Sequence, residues 1–144
     1  MYNRNAYDYF VKNEKDFEGY VIVTFDLNNL KQCNDQYGHR AGDEYIINAA
    51  HIIEDNFERY GKCYRIGGDE FCCIIPKGRY FKIERVMHKI DQDVEVLNHK
   101  NIIPVPVGIA YGYAVFTADD TDPEKVRERA DKDMYRNKKT MKQL

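Results

Sequence analysis

The sequence has no tryptophan, no long apolar run and no large excess of either charge. A membrane-spanning helix needs about 20 consecutive apolar residues, and no stretch of this chain approaches that length. The net charge is -2, with 22 lysines and arginines against 24 acidic residues, so no general basic field is present to hold nucleic acid. We therefore predict a cytoplasmic domain that contacts neither nucleic acid nor membrane, within a full-length protein that membrane segments elsewhere can anchor. Any phosphate binding has to be local.

Cysteine is sparse, and its spacing does not match a disulfide framework or a zinc site. The four cysteines are Cys33, Cys63, Cys72 and Cys73, and no C-x-x-C pair occurs. Successive residues of a strand point to opposite faces of a sheet, so we expect Cys72 and Cys73 on opposite sides. The pattern predicts four reduced, buried thiols.

Apolar residues, in contrast, are abundant and regularly spaced. They make up 43% of the 144 residues, beside 32% charged residues, which is typical of one globular domain. Strands are predicted for "YVIVTFDL", "KCYRI", "FCCIIP" and "IIPVPVGIAYGYAVF", the last with its prolines at an edge or lead-in. The order helix, strand, helix, hairpin, helix, strand, helix predicts an α+β fold with helices packed on an antiparallel-rich sheet.

The predicted helices each have one apolar face, because apolar residues recur at helical spacing. Asp122 is expected to cap the last helix, with Pro123 in its first turn. The predicted inner faces consist of Ala6, Tyr9 and Phe10; of Ile46, Ala49, Ala50, Ile53 and Phe57; of Ile83, Met87, Ile90, Val94 and Leu97; and of Val126, Ala130 and Met134.

Two glycines and two carboxylates separate the second and third strands, as Gly67-Gly68-Asp69-Glu70. Glycine suits a tight hairpin because it adopts positive φ without strain, and the same residues are also compatible with a solvated turn. Asp26 ends the first strand, so three carboxylates meet at one edge if the hairpin lies next to that strand. Such oxygen ligands suit Mg²⁺ together with a phosphate substrate.

Several stretches together resemble the GGDEF domain, the diguanylate cyclase family. Gly67-Gly68-Asp69-Glu70-Phe71 is the family signature as it stands. The stretches "FDLNNLKQCNDQYGHRAGDEYI" (25–46), "ADKDMYRNKKTMK" (130–142) and "YNRNAY" resemble the family's second signature, its closing element and the end of its opening signature. The D-x-L-T-G-L part of that opening is missing, so we expect 1–144 to be a single GGDEF domain with a truncated opening, taken from a larger signalling protein.

The resemblance implies a fold like the palm of polymerases and nucleotidyl cyclases. It also implies condensation of two GTP into cyclic di-GMP with release of pyrophosphate. In the family, two domains meet face to face, and each 3'-hydroxyl attacks the α-phosphate opposite. The implied cofactor is Mg²⁺, with Mn²⁺ as the alternative. The implied partners are GTP, a second copy of the domain in a transient homodimer, and an upstream sensory domain.

The matched motifs also transfer the family's site residues to this chain. Asp26, the backbone carbonyl of Leu27 and Asp69 would hold the metal, Glu70 would complete the acidic set, and Lys31 would stabilise the transition state. The residue that removes the 3'-proton is either Asp69 or Glu70. The implied substrate contacts are Asn34 and Asp43 for guanine, Leu30 and Ile46 for the apolar part of its pocket, Gly67 and Gly68 for close approach to the triphosphate, and Lys138 and Lys142 for the terminal phosphates.

Three positions depart from the family pattern. Many members carry an R-x-x-D product-inhibition site shortly before the signature, where this chain has Glu58 and Gly61. We therefore predict no allosteric product inhibition through that surface. Lys142 stands where many members have arginine, which keeps the charge but loses bidentate geometry.

Two other functions remain open from the sequence. One is a signalling module that binds GTP without turnover, and the other is a cyclase that makes a different cyclic nucleotide. The presence of Asp26, Lys31, Asp69 and Glu70 favours turnover, because a pure receptor has no need of all four. Asp43 favours GTP as at least one substrate.

Overall fold

The structure, a computed structural model, describes residues 1–78 and 82–143, with side chains up to residue 138. Within these ranges it contains α1 (Arg4–Asn13), β1 (Val21–Asn28), α2 (Leu30–Tyr37), α3 (His39–Phe57), β2 (Lys62–Arg65), β3 (Glu70–Ile75), α4 (Ile83–His99), β4 (Gly108–Val115) and α5 (Pro123–Gln143). None of the helices it describes combines the length and the apolar character needed to cross a membrane.

The four strands form one antiparallel sheet in the order β2-β3-β1-β4. The hairpin of β2 and β3 therefore lies next to β1, which is the condition under which the three carboxylates were expected to meet, and Asp26 is directly opposite Glu70 in the register. β4 lies at an edge, and Pro104 and Pro106 precede it, as the sequence predicted. The predicted α+β fold is confirmed.

Helices cover both faces of the sheet. On one face α3 and α4 pack on β1 and β3, with Phe25 against Phe57 at the centre of the core. On the other face α1 and α5 pack on Ile22 and Cys72. The predicted inner faces of α3, α4 and α5 are all buried or half-buried.

The four thiols are free and buried, as predicted. Cys73 faces the core under α3 and α4, whereas Cys72 faces α1 and α5. Burial raises the pKa of Cys72 and Cys73 well above the usual value, because a thiolate is poorly solvated in an apolar core. These groups are therefore neutral core residues.

Two details of the helices differ from the sequence prediction. Tyr9 is not an inner residue of α1: its side chain is 72% exposed, and the fully buried one is Tyr7. Successive side chains of a helix are rotated by about 100° around its axis, so Tyr9 points away from the face on which Tyr7 is buried. The structure also adds α2, which buries only Leu30 and Cys33 and so has no repeated apolar pattern in the sequence.

Helix α5 lies unusually close to β4. A Cβ atom on Gly112 would collide with the backbone nitrogen of Met134 and the backbone oxygen of Ala130. Asp122 begins α5 as predicted, since its carboxylate accepts a hydrogen bond from Glu124 N at 3.0 Å. The close packing of α5 on β4 at Gly112 fixes the position of the last turns of α5 along the sheet. Lys138 lies in those turns.

The first residues of the chain extend the sheet beyond β2. Tyr2 forms a parallel bridge with Tyr64, in which Tyr2 N donates to Cys63 O at 3.0 Å and Arg65 N donates to Tyr2 O at 2.8 Å. Part of the exposed edge of β2 is therefore paired.

Candidate functional site

The candidate site lies at the end of the two central strands, where β1 ends and β3 begins. Asp26 and Glu70 are opposite each other in the antiparallel register, so their side chains leave the same face of the sheet. Asp69 precedes β3 and is half-buried, whereas Glu70 is exposed. The sequence thus brings the three predicted carboxylates to one edge.

Asp26 is the best-anchored of these acids. Its Oδ1 accepts a hydrogen bond from Leu27 N at 2.9 Å, and its Oδ2 accepts one from Lys138 Nζ at 2.7 Å. Lys138 reaches it from α5, across the face of the sheet that α5 covers. A cation and a backbone amide therefore hold the carboxylate in place.

Asp69 is close enough to Asp26 for the two carboxyl groups to hydrogen-bond. Burial raises the pKa of Asp69, and the negative charge of Asp26 raises it further, because both disfavour the ionised form. A divalent cation between the two groups would remove this repulsion, so the donor chemistry fits a hard metal ion.

The acids do not form a preformed cluster of three metal ligands. Within the described part of the chain, no three His, Cys, Asp or Glu side chains are placed so that they could hold a metal ion. Asp26 and Asp69 lie together, but the side chain of Glu70 lies beside Gly67. The arrangement thus offers two carboxylates, with the Leu27 backbone next to them.

The turn before these acids does not use glycine in the way the sequence suggested. Neither Gly67 nor Gly68 has a positive φ, so the prediction of a tight turn that needs one is wrong. A loop of residues 66–69 connects the strands, and Ile66 N donates to Glu70 O at 3.0 Å to close it. A Cβ on Gly68 would meet no atom within 4 Å, so the missing side chain leaves open space beside the acids.

Arg65 fixes the same loop, and the sequence analysis did not identify it. Its Nε donates to Gly67 O at 3.2 Å, and its Nη2 donates to Gly68 O at 3.0 Å. An arginine two residues before a pair of glycines is the signal that could have indicated it, because the guanidinium fork can bind two neighbouring carbonyls.

The predicted guanine-binding residues come together where α2 is followed by α3. The side-chain oxygen of Asn34 lies against Gly42, whose neighbour Asp43 is exposed in the first turns of α3. Leu30 is buried and Ile46 is half-buried against the same core. Gly42 was also missed by the sequence analysis, although it belongs to the matched motif.

Tyr45 of α3 joins this helix to the backbone of β1 and β4. Its buried hydroxyl donates to Asn28 O at 2.6 Å and accepts a hydrogen bond from Gly108 N at 3.0 Å. Burial raises the pKa of Tyr45 to about 12, so the hydroxyl stays protonated. The spacing from Ala41 through Tyr45 to Ala49 could have indicated an inner position.

The cations predicted to bind phosphate have different surroundings. Lys31 is exposed in the first turn of α2, whereas Lys138 is engaged with Asp26. The side chain of Lys142 lies outside the described residues.

The two positions that depart from the family's inhibition motif lie between α3 and β2. A Cβ atom on Gly61 would collide with the backbone oxygen of Ile74, so this backbone has no room for a side chain there. Glu58 is exposed at the end of α3. An aspartate at position 61 would therefore need a different backbone.

Comparison with known proteins identifies what this arrangement resembles. The family model described as diguanylate cyclase, GGDEF domain, matches residues 1–143. Diguanylate cyclase DgcS of Shewanella oneidensis is 29% identical over 142 residues, which cover 94% of this chain and 46% of that protein. The bifunctional diguanylate cyclase/cyclic di-GMP phosphodiesterase MucR of Pseudomonas aeruginosa is 29% identical over 128 residues, or 86% of this chain and 18% of that protein. The chain thus spans less than half the length of both relatives.

Solved structures show the same fold. The GGDEF domain of DgcB from Caulobacter crescentus, in complex with c-di-GMP, is 25% identical and superposes with a TM-score of 0.75, covering 96% of this chain and 85% of that one. Diguanylate cyclase SiaD from Pseudomonas aeruginosa, in complex with its activator SiaC, has a TM-score of 0.76 at 22% identity, covering 96% and 55% of the two chains. The sheet and its helices therefore have the palm-like architecture of these domains.

Proposed function

This chain belongs to the GGDEF domain family of diguanylate cyclases, and we propose that it condenses two GTP molecules into cyclic di-GMP with release of pyrophosphate. The observation that carries the proposal is the interaction of the Asp26 and Asp69 carboxyl groups beside the open space at Gly68. Two carboxylates held together next to free space are the arrangement that a metal-bound phosphate substrate needs.

The proposed metal ligands are Asp26, the backbone carbonyl of Leu27 and Asp69, with Glu70 completing the acidic set. Mg²⁺ is the proposed cofactor, and Mn²⁺ is the alternative with the same oxygen preference. When bound, the metal would stabilise the charge on the attacking and leaving oxygens of the phosphoryl transfer. Asp69 or Glu70 takes the proton of the 3'-hydroxyl.

The proposed substrate contacts are the residues that match the family motifs. Asn34 and Asp43 offer an amide and a carboxylate to the guanine edge, next to the apolar surface of Leu30 and Ile46. Gly68 leaves room for the triphosphate, and the backbone of Gly67, beside Glu70, is the second proposed contact. The terminal phosphates are bound by the ammonium groups of Lys138 and Lys142, and Lys31 stabilises the charge of the transition state.

The proposed reaction needs a second copy of the domain, because one site supplies the 3'-hydroxyl and the other supplies the α-phosphate. The rate should therefore rise faster than linearly with protein concentration until the dimer is saturated. In a longer protein, an upstream sensory domain would control activity by bringing two copies together.

The deciding experiment is incubation of a protein concentration series with GTP and Mg²⁺, with the product identified by mass. Cyclic di-GMP formation that EDTA abolishes is the expected result. The matched control is Asp119→Asn, which changes an exposed carboxylate in the loop before α5 and should leave the rate unchanged. GTP binding in calorimetry without any product would instead support the binding-module alternative, and a product of another mass would identify a different cyclase.

A further inference from the structure

Lys138 and Asp26 form an ion pair that joins the last helix to the central strand. The two residues are 112 positions apart in the chain, and Nζ lies 2.7 Å from Oδ2. Their side chains are only 23% and 16% exposed, so water screens the pair less than it screens a surface ion pair.

The surroundings of this pair are acidic. Asp69 contacts Asp26, Glu70 stands opposite it in the register, and Asp131 lies two turns before Lys138 on α5. Among the side chains that the structure describes, Lys138 provides the one cationic contact of Asp26. The ammonium group therefore balances charge at the position where the proposed metal would act.

The oxygen that Lys138 uses is the one that a metal would need. Asp26 Oδ1 already accepts the amide hydrogen of Leu27, which leaves Oδ2 as the oxygen directed away from the backbone. An ammonium group and a divalent cation cannot both occupy the same side of this oxygen, because they would repel each other at contact distance.

We propose that Lys138 is an exchangeable cation that occupies Asp26 Oδ2 in the free domain and moves to the triphosphate when the metal and GTP enter together. The inference rests on the proposed function, because it takes Asp26 as a metal ligand. A lysine suits this exchange, since its four-carbon stem lets the charge move while α5 stays in place on Gly112.

The exchange makes metal and nucleotide binding interdependent. Metal alone has to displace the ammonium group from its hydrogen bond with Asp26, so it binds weakly. Metal with nucleotide supplies a new partner, because the triphosphate accepts the displaced lysine. Each ligand therefore raises the affinity of the other by the same factor.

The test is Mn²⁺ binding, followed by electron paramagnetic resonance, in the presence and absence of a GTP analogue that cannot react. Lys138→Met keeps the apolar stem and removes the charge. We expect it to bind Mn²⁺ alone about tenfold more tightly than the wild type and to lose about tenfold of the coupling to nucleotide, since one charged hydrogen bond is exchanged. Lys138→Arg keeps the charge and should bind Mn²⁺ no better than the wild type.

The matched control is Lys132→Met, because Lys132 is an exposed lysine of the same helix. It should match the wild type in both measurements. Equal or weaker binding of Mn²⁺ by Lys138→Met overturns the exchange while leaving the proposed function intact. Failure of every variant to bind Mn²⁺, even with nucleotide, overturns the proposed metal site and the exchange together. Lys138→Gln repeats the test with a polar neutral side chain if the methionine variant does not fold.

Discussion

The side-chain oxygen of Asn34 occupies the space that a Cβ atom on Gly42 would need. Asn34 lies in α2 and Gly42 in α3, and the turn between them contains Gly38, which has φ of 89°. The two helices therefore hold the amide in contact with backbone immediately beside Asp43. The position of this amide depends on the absence of a side chain at residue 42.

Gly42→Ala should weaken GTP binding by about tenfold, because the added methyl group pushes Asn34 away from the proposed guanine position. Calorimetric titration with GTP measures the loss. Alanine favours a helix over glycine by up to about 1 kcal/mol, so a large fall in thermal stability is not the expected cause of any loss in binding.

A double-mutant cycle with Asn34→Ala is the control for this prediction. If Gly42 acts by positioning Asn34, Gly42→Ala should cost little affinity once the amide has been removed. Full additivity of the two losses would mean that Gly42 contributes to binding independently of Asn34.

Asp43 should make the site select guanine over adenine. Guanine has an N1-H donor for a carboxylate, whereas adenine has an acceptor at that position, so the acid would remain unpaired. We expect GTP to bind roughly a hundredfold more tightly than ATP. Asp43→Asn should reduce this ratio, and Asp35→Asn, at an exposed position of α2, is the matched control. Similar affinities of the wild type for ATP and GTP in calorimetry would contradict the assignment.

Asp69→Asn should reduce cyclic di-GMP synthesis by roughly a hundredfold or more, because the amide removes one charge from the proposed metal site. The fold should remain intact. Since burial and the charge of Asp26 raise the pKa of Asp69, ionisation of this carboxyl group lowers the stability of the folded domain above the unfolded pKa. The thermal midpoint of the variant at pH 7 should therefore be equal to or above that of the wild type. Unchanged synthesis by Asp69→Asn would exclude this residue as a metal ligand.

Product should inhibit this domain only by competing with GTP. Glu58 presents a carboxylate where an anion-binding site needs a cation, and Gly61 has no room for a side chain against Ile74 O. Rates measured with added cyclic di-GMP should recover fully at high GTP concentration. Inhibition that persists at saturating GTP would reveal a second product site.

Asp120 should stabilise the loop before α5 in a pH-dependent way. The guanidinium of Arg129 forms a bidentate pair with its carboxylate, at 2.8 and 3.0 Å, and this pair and the Thr117 amide hold the pKa of Asp120 well below its usual value. Because the Arg129 side chain is 46% exposed, we expect Asp120→Asn to lower the free energy of unfolding at pH 7 by only about 1 kcal/mol.

The pH dependence separates this effect from a change in packing. A lowered pKa in the folded state stabilises the domain above the unfolded value of about 3.9, and the stabilisation decreases as the pH falls through the folded pKa. Denaturant titrations of the wild type and Asp120→Asn should therefore differ at pH 7, and the difference should decrease progressively as the pH falls below about 4. A difference that is constant with pH would indicate packing instead.

The sequence predicts the sheet and the larger helices because their apolar faces repeat over many residues. In α4, for example, Ile83, Met87, Ile90, Val94 and Leu97 are all buried as the spacing requires. The short helix α2 was not predicted, since Leu30 and Cys33 alone do not define a period. Tyr9 was misplaced because an amphipathic ring fits either the edge of an apolar face or solvent.

The candidate site likewise has some features that the sequence could predict and others that it could not. The meeting of Asp26 with the hairpin acids follows from strand order, so it could be predicted once the hairpin was placed next to β1. The partner of Lys138 could not, because it lies 112 residues away and depends on how closely α5 approaches β4 at Gly112. The turn conformation of Gly67 and Gly68 was also beyond reach, since the length of the loop decides whether a positive φ is needed.

The bridge between Tyr2 and β2 connects the first residues of the chain to the loop between β2 and β3. The backbone amide of Arg65 is hydrogen-bonded to Tyr2, while its guanidinium is hydrogen-bonded to the carbonyls of Gly67 and Gly68. Displacement of the first residues would therefore reach, through one arginine, the loop at the proposed substrate site.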